Sequence, residues 1–244
     1  MAPGACGGVE GGRRMSKWLA LSVLLVGASP ASFAADQLYP PVVTFAVWRN
    51  GENVGRHVLT FSQKGSAQIV TIDADITVRA MGLVAYRYVH HGNEVWSGEQ
   101  LQSMQTTTED NGRRFSVAAQ HVGANLKVER TTAGPVSAAA LDGFQVPDIS
   151  RETLPASIMP TSQWNVRQVK QSTLLNSQYG TPAHVKVVPG GRETVRTSTR
   201  SVEAMHYTYS GDLRMDLWYD DRGRWVKGIF VAFDGSTVEY ILQE

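Results

Sequence analysis

Short runs of β-branched and aromatic residues, cut at close intervals by dipeptides that accept positive φ, constrain this chain more than any other feature. Asn50-Gly51, Gly65-Ser66, Asn111-Gly112, Gly190-Gly191, Gly211-Asp212, Arg222-Gly223 and Asp234-Gly235 punctuate it from Val42 onward. Such pairs close hairpins, because their backbone twist matches that of the strands they join. The helix–strand alternation of a parallel sheet is missing. The pattern predicts an all-β domain over residues 35–244, a strongly curved antiparallel sheet or open β-barrel.

Register follows from the turns. A two-residue type II′ turn at Gly65-Ser66 sets Phe61 against Val70, Leu59 against Ile72 and His57 against Ala74 on an oily face. Arg56 and Asp75, with Thr60 and Thr71, fall on the polar face. Near the C-terminus, a three-residue loop at Asp221-Arg222-Gly223 sets Tyr219 against Trp225 and Met215 against Ile229. A type I′ turn at Asp234-Gly235 then sets Ile229 against Tyr240 and Val231 against Val238. Together the two turns gather Leu213, Met215, Leu217, Trp225, Ile229, Val231, Val238 and Tyr240 on one surface.

The middle reads differently. Residues 132–162 carry Pro135, Pro147, Pro155 and Pro160, which argues against a central strand or a long helix and for an irregular crossover. One short helix is predicted after it, from Gln163 to Gln171, capped by Ser162.

The N-terminus carries an address. Met15 to Ala34 has a basic start at Lys17, an apolar run from Trp18 to Val26 that is too short to span a bilayer, and small residues at Ser32 and Ala34 before a cut. This is the layout of a secretory signal peptide, and residues 1–34 are read as one, with 1–14 an extension upstream of the true start. Arg13 and Arg14 offer a rival twin-arginine reading, although the motif around them is poor. The only cysteine, Cys6, falls in this segment, so the mature chain is expected to have neither a disulfide nor a thiol ligand. Export to a bacterial periplasm fits best, with no transmembrane span in the mature chain. A transmembrane barrel is disfavoured by the proline-laden middle and by a terminus at Gln243-Glu244 that lacks a final aromatic. A formal net charge of +1 gives no reason to expect nucleic acid as a partner.

Candidate sites are few. His90 and His91 are neighbours on a strand, so their imidazoles point to opposite faces and do not close on one metal; no metal or other cofactor is expected. Period two groups Tyr86, Tyr88 and His90, with a turn predicted at Gly92-Asn93. His57, on the oily face, reads either as a hydrogen-bonded core histidine or as a polar group lining a pocket. Asp73 and Asp75 share a polar face, Arg56 being the expected partner of Asp75, and Asp220 and Asp221 are turn formers. No GxSxG elbow, P-loop or dinucleotide fingerprint occurs, so no catalytic residue is nominated. A site assembled from distant residues stays open. Large aromatics either fill a β core or line an apolar cavity. The residues carried forward as ligand-binding candidates are His57, Tyr86, Tyr88, His90, Trp96, Trp225 and Tyr240.

The stretches NVGRHVLTF (53–61), AYRYVHHGNEVWSGEQL (85–101), TTTEDNGRRFSV (106–117), TSQWN (161–165) and LWYDDRGRWVKGIF (217–230) resemble domain-of-unknown-function family 6134, a family of exported bacterial proteins. The resemblance extends over nearly all of the mature chain and implies an exported β-rich protein with no established activity. A more distant likeness to family 3108 implies a curved-sheet, lipid-handling relative at the level of fold only. The function expected is binding or carriage of a hydrophobic or lipid-like ligand. A structural or envelope-assembly protein with a filled core, and a metal-independent hydrolase, remain as alternatives.

Overall fold

The computed structural model describes residues 38–134, 148–232 and 234–243. The signal-peptide reading of residues 1–34, and Pro135 and Pro147 of the crossover, lie outside them. The first half forms strands β1 (Val42–Arg49), β2 (Glu52–Lys64), β3 (Ala67–Ala80), β4 (Leu83–Ser97), β5 (Gln100–Asp110), β6 (Arg113–Val122), β7 (Asn125–Ala133) and β8 (Asp148–Pro155). After it come β9 (Met159–Pro160), a 3-10 turn (Val166–Lys170), β10 (Thr173–Leu175), β11 (Pro182–Arg196), β12 (Ser201–Gly211), β13 (Met215–Asp220), β14 (Trp225–Val231) and β15 (Thr237–Gln243). All strand pairs are antiparallel except β9–β10, and the order runs β8-β7-β6-β5-β4-β3-β2-β1-β15-β14-β13-β12-β11-β10-β9.

That order requires curvature. Strands β8 and β9 occupy the two edges of a fifteen-stranded sheet, which laid flat would set them about 67 Å apart at the ordinary spacing between strands. Only Ala156–Ile158 join them, a connection that reaches about 14 Å from Pro155 to Met159. The sheet therefore curls until its edges approach, yet they do not pair, so no barrel closes. The prolines fit this placement: Pro155 ends one edge strand and Pro160 lies in the other, where a missing N–H costs no central ladder bond.

The β2–β3 hairpin has the predicted register, Phe61 opposite Val70, Leu59 opposite Ile72, His57 opposite Ala74 and Arg56 opposite Asp75. Near the C-terminus Tyr219 faces Trp225 as expected, but an irregularity beside Trp218 shifts the rest, so that Met215 meets Phe230 rather than Ile229. The Asp234-Gly235 turn closes on Val231 opposite Thr237, not Val238. Gly228 and Phe230 thereby take the inner places predicted for Ile229 and Val231, and Val231 is 62% exposed. Two further expectations are corrected. The predicted helix is a 3-10 turn capped by Asn165, whose side chain accepts from the Arg167 amide, and not by Ser162. Gly92-Asn93 is no turn, since β4 runs straight through both residues opposite Ile72 and Thr71.

The curl is filled from within. Residues 156–180 form a strap across the inner face: Leu174 and Leu175 are fully buried, and Trp164 meets Phe61 and Trp96 edge to face, its ring centre 5.7 and 5.5 Å from theirs. Each such leucine contributes about 1.5–3 kcal/mol of burial. Polar ties fix the strap to distant strands: Thr106 donates to the Ser177 carbonyl (2.6 Å), Arg130 to that of Gly180 (3.3 Å), and Gln168 to the Tyr219 hydroxyl (2.7 Å).

Candidate functional site

Cross-strand geometry builds the site. His57 on β2 and His90 on β4 both oppose Ala74 on β3, so the two imidazoles project from one face about 10 Å apart at the backbone, separated by a single methyl group. Both are buried. His90 Nδ1 lies 2.8 Å from Thr108 Oγ1, and Gly92 beside it leaves room, since a Cβ there would come within 3.4 Å of His90 Nε2, Ile72 and Thr106. His57 is enclosed by aromatic rings, with Phe45, Trp225 and Tyr240 centred 6.2, 5.6 and 5.8 Å away. Its Nε2 has no hydrogen-bond partner among the described residues. Loss of water around the imidazolium forms holds His57 at about 3 and His90 at about 4, so both are neutral near pH 7.

Tyrosines extend this face toward the hairpin turns. Tyr86 donates to Asp110 Oδ1 (2.7 Å) and Tyr179, from the strap, to Asp110 Oδ2 (3.2 Å), while Tyr88 reaches Gln178 at 3.4 Å. Around them Val47, Val54, Ile76, Val78 and Val238 form a second apolar cluster, which Tyr240 joins to the main core. Burial and the neighbouring carboxylate raise the Tyr86 hydroxyl far above its ordinary range, and burial lifts Tyr240 to about 12. The Tyr86 hydroxyl is thus a fixed donor to Asp110, not an acid. Beside Trp225, which stacks on Phe45 at 4.0 Å, an open groove of about 390 Å³ is lined by Tyr39, Pro40, Val42, Val43, Trp225 and Leu242 together with the polar Arg224 and Gln243.

Six of the seven predicted residues, His57, Tyr86, Tyr88, His90, Trp225 and Tyr240, thus lie on one continuous inner surface. Trp96 does not join them. It stands six residues beyond His90 on β4, roughly 20 Å along the strand, where its indole donates to Glu94 Oε2 (2.9 Å). Trp164 donates to the same oxygen at 2.9 Å, so Glu94 pins the strap to the sheet. Complete burial raises this carboxyl above its ordinary value, although the two indole N–H groups and Ser162 oppose the shift. Glu94 does not touch either histidine, and Glu99 pairs with Arg167 on the surface (3.0 Å). His91 points outward to Asp73, and Asp75 turns to Arg87 rather than to Arg56. Asp220 closes its turn by accepting from the Arg222 and Arg224 amides.

Asp110, Thr108, Gln178 and Tyr179 were not foreseen. Asp110 could have been found, since the Asn111-Gly112 turn fixes β5 and period two then puts Asp110 on the face of Thr106 and Thr108. Tyr179 and Gln178 belong to an irregular strap that has no periodicity to read.

Fold and site together define a class: a curled, single-sheet all-β protein whose inner face is aromatic and histidine-bearing and is crossed by its own strap. The sequence profile of the family described as Domain of unknown function (DUF6134) matches residues 45–243, and the chain belongs to that family. No curated protein matches it. No helix among the described residues is long and apolar enough to cross a membrane.

Proposed function

We propose that this is an exported protein of the bacterial periplasm that binds a hydrophobic or lipid-like ligand along the inner face between Trp225 and Tyr86. The observation that carries the reading is His57, a neutral buried imidazole whose Nε2 is unpartnered among the described residues, inside a ring of Phe45, Trp225 and Tyr240. Apolar walls with a few oriented polar handles are what a ligand of mostly hydrocarbon surface and one polar group requires. The groove at Trp225 shares that residue with the proposed face. Export is supported by the charge and hydropathy layout of residues 15–34.

A second reading, an envelope-assembly protein with a filled interior, is favoured by the strap, whose Trp164, Leu174 and Leu175 occupy the curl. Native mass spectrometry of protein taken from its own periplasm without detergent separates the two. The ligand reading expects a lipid-sized mass above that of the processed chain, lost in the Trp225→Ala variant and reduced by His57→Phe. A bare mass under gentle conditions overturns it in favour of the second reading. An N-terminal residue other than Ala35 would revise the export boundary alone.

A further inference from the structure

Among the described residues the two most exposed large apolar side chains, Met81 and Leu83, lie together at the β3–β4 turn, with Val84 beside them. Met81 is 100% exposed, Leu83 74% and Val84 53%, and every residue from Arg79 to Ala85 is exposed. The neighbours end earlier: β2 pairs with β3 no further than Gly55 opposite Ile76, and β5 pairs with β4 no further than Asp110 opposite Tyr88. The ribbon therefore projects alone, its last pairs being Arg79 with Val84 and Ala80 with Leu83. From Arg79 to the apex it reaches roughly 10 Å.

Turn chemistry makes the apex unusual. Asn50-Gly51 and Asn111-Gly112 close the hairpins on either side with both residues at positive φ, +49 and +85, +48 and +88. Met81-Gly82 adopts the same conformation, +52 and +81. Asparagine enters the left-handed region far more readily than methionine, so backbone preference does not account for Met81 here. Charge adds a second constraint. From Ile76 to Asn93 the chain has no carboxylate; Arg79 stands at the tip opposite Val84, and Arg87, further back, lies 4.0 Å from Asp75.

We propose that this hairpin tip inserts into the surface of an anionic lipid bilayer. Leu83 and Val84 are adjacent on a strand and point to opposite faces, and Met81 caps them, so the apolar surface surrounds the tip. A groove on a protein would cover one face and leave the other in water, whereas a fluid acyl layer covers all of it. Interfacial elements sink about 5–10 Å into the headgroup–acyl boundary. That depth submerges Met81, Leu83 and Val84, while Arg79, opposite Val84, lays its stem back along the apolar layer and sets its guanidinium at the lipid phosphates. The hairpin's own chemistry carries this whether or not a ligand occupies the inner face.

Flotation of the processed protein with vesicles of phosphatidylcholine alone, or with 30% phosphatidylglycerol, tests it (both compositions chosen for the assay; roughly one anionic lipid in three mimics an anionic leaflet). Wild type is expected to float with the anionic vesicles and only weakly with the neutral ones. Met81→Asp combined with Leu83→Asp should lower the bound fraction about tenfold, and Arg79→Gln several-fold, with unchanged circular dichroism because the tip supports no core. Met81→Asn, the residue used at both sister turns, serves as a control that improves the turn and still weakens binding. Wild type that stays with the unbound fraction, or an aspartate variant that floats equally, overturns the assignment. Hairpin-dependent capture of a protein without vesicle binding overturns it as well.

Discussion

His57 and Glu94 are buried ionisable groups that pull stability in opposite directions with pH. The folded-state value of His57 is depressed to about 3 by desolvation, so the unfolded chain binds the proton first as pH falls. The stabilisation is complete above the unfolded value near 6.5 and is lost progressively down to about 3. His90, held at about 4, acts the same way. Glu94 is raised by burial, so its term is fully present below the unfolded carboxyl value and fades as pH rises through the folded one. The histidines are two and their window is wide, so net stability should decline from pH 7 to pH 4. His57→Phe removes one of the two terms and also an unpaired buried nitrogen. At pH 4.5 the variant should exceed wild type by about 2–3 kcal/mol, from two pH units at about 1.36 kcal/mol each. Thermal or urea unfolding at pH 7 and pH 4.5 measures this, and parallel pH curves for the two proteins would refute it.

Among the strands, glycine positions mark where the sheet leaves regularity. Gly55 sits where the β1–β2 register slips beside Val47, and a Cβ there would overlap the Asp75 carbonyl oxygen on β3. Gly51 has equally little freedom in φ but open space around it. Gly51→Ala should therefore cost about 1 kcal/mol, the conformational term alone, while Gly55→Ala should cost at least about 2–3 kcal/mol because two backbones must part. Equal losses in denaturant midpoints would contradict this difference. Such slips also explain what the sequence could and could not tell. The β2–β3 register was legible because a Gly-Ser turn and strict alternation fix each other, and through it His57 was placed correctly on the face of Leu59 and Phe61. The C-terminal pairing was read one residue out because the extra residue beside Trp218 and the longer turn after Val231 leave no trace in the hydrophobic pattern. The inner tyrosines of β4 followed from period two. Their partners Tyr179 and Gln178 did not, since the strap is held by scattered polar ties to side chains from β4, β5, β7 and β13 and not by any repeat.

The whole sheet is two meanders joined at one seam. Strands β2 to β8 extend from β1, β14 to β9 extend from β15, and within the sheet they meet only where β1 pairs with β15, Thr44 opposite Gln243 through Arg49 opposite Val238. That ladder joins residues nearly 200 apart in sequence, so its loop-closure entropy is met only after both meanders have largely formed. Folding should accordingly be slow for the chain's size, with hairpins such as β2–β3 and β3–β4 forming early and the β1–β15 seam late. A chain stopped after Ala232 isolates the consequence. It keeps every turn up to β14 but lacks β15, so the edges of β1 and β14 lie bare and Phe45, Val47 and Trp225 lose the cover of Tyr240 and Leu242. Unpaired edges of this length template association. The truncated protein should retain β circular dichroism yet lose a single cooperative unfolding transition and form higher oligomers at micromolar concentration, as read by denaturant titration and light scattering. Cooperative unfolding of a monomer lacking β15 would show that the strap, through Glu94, Trp164 and Gln168, holds the two meanders together without the seam.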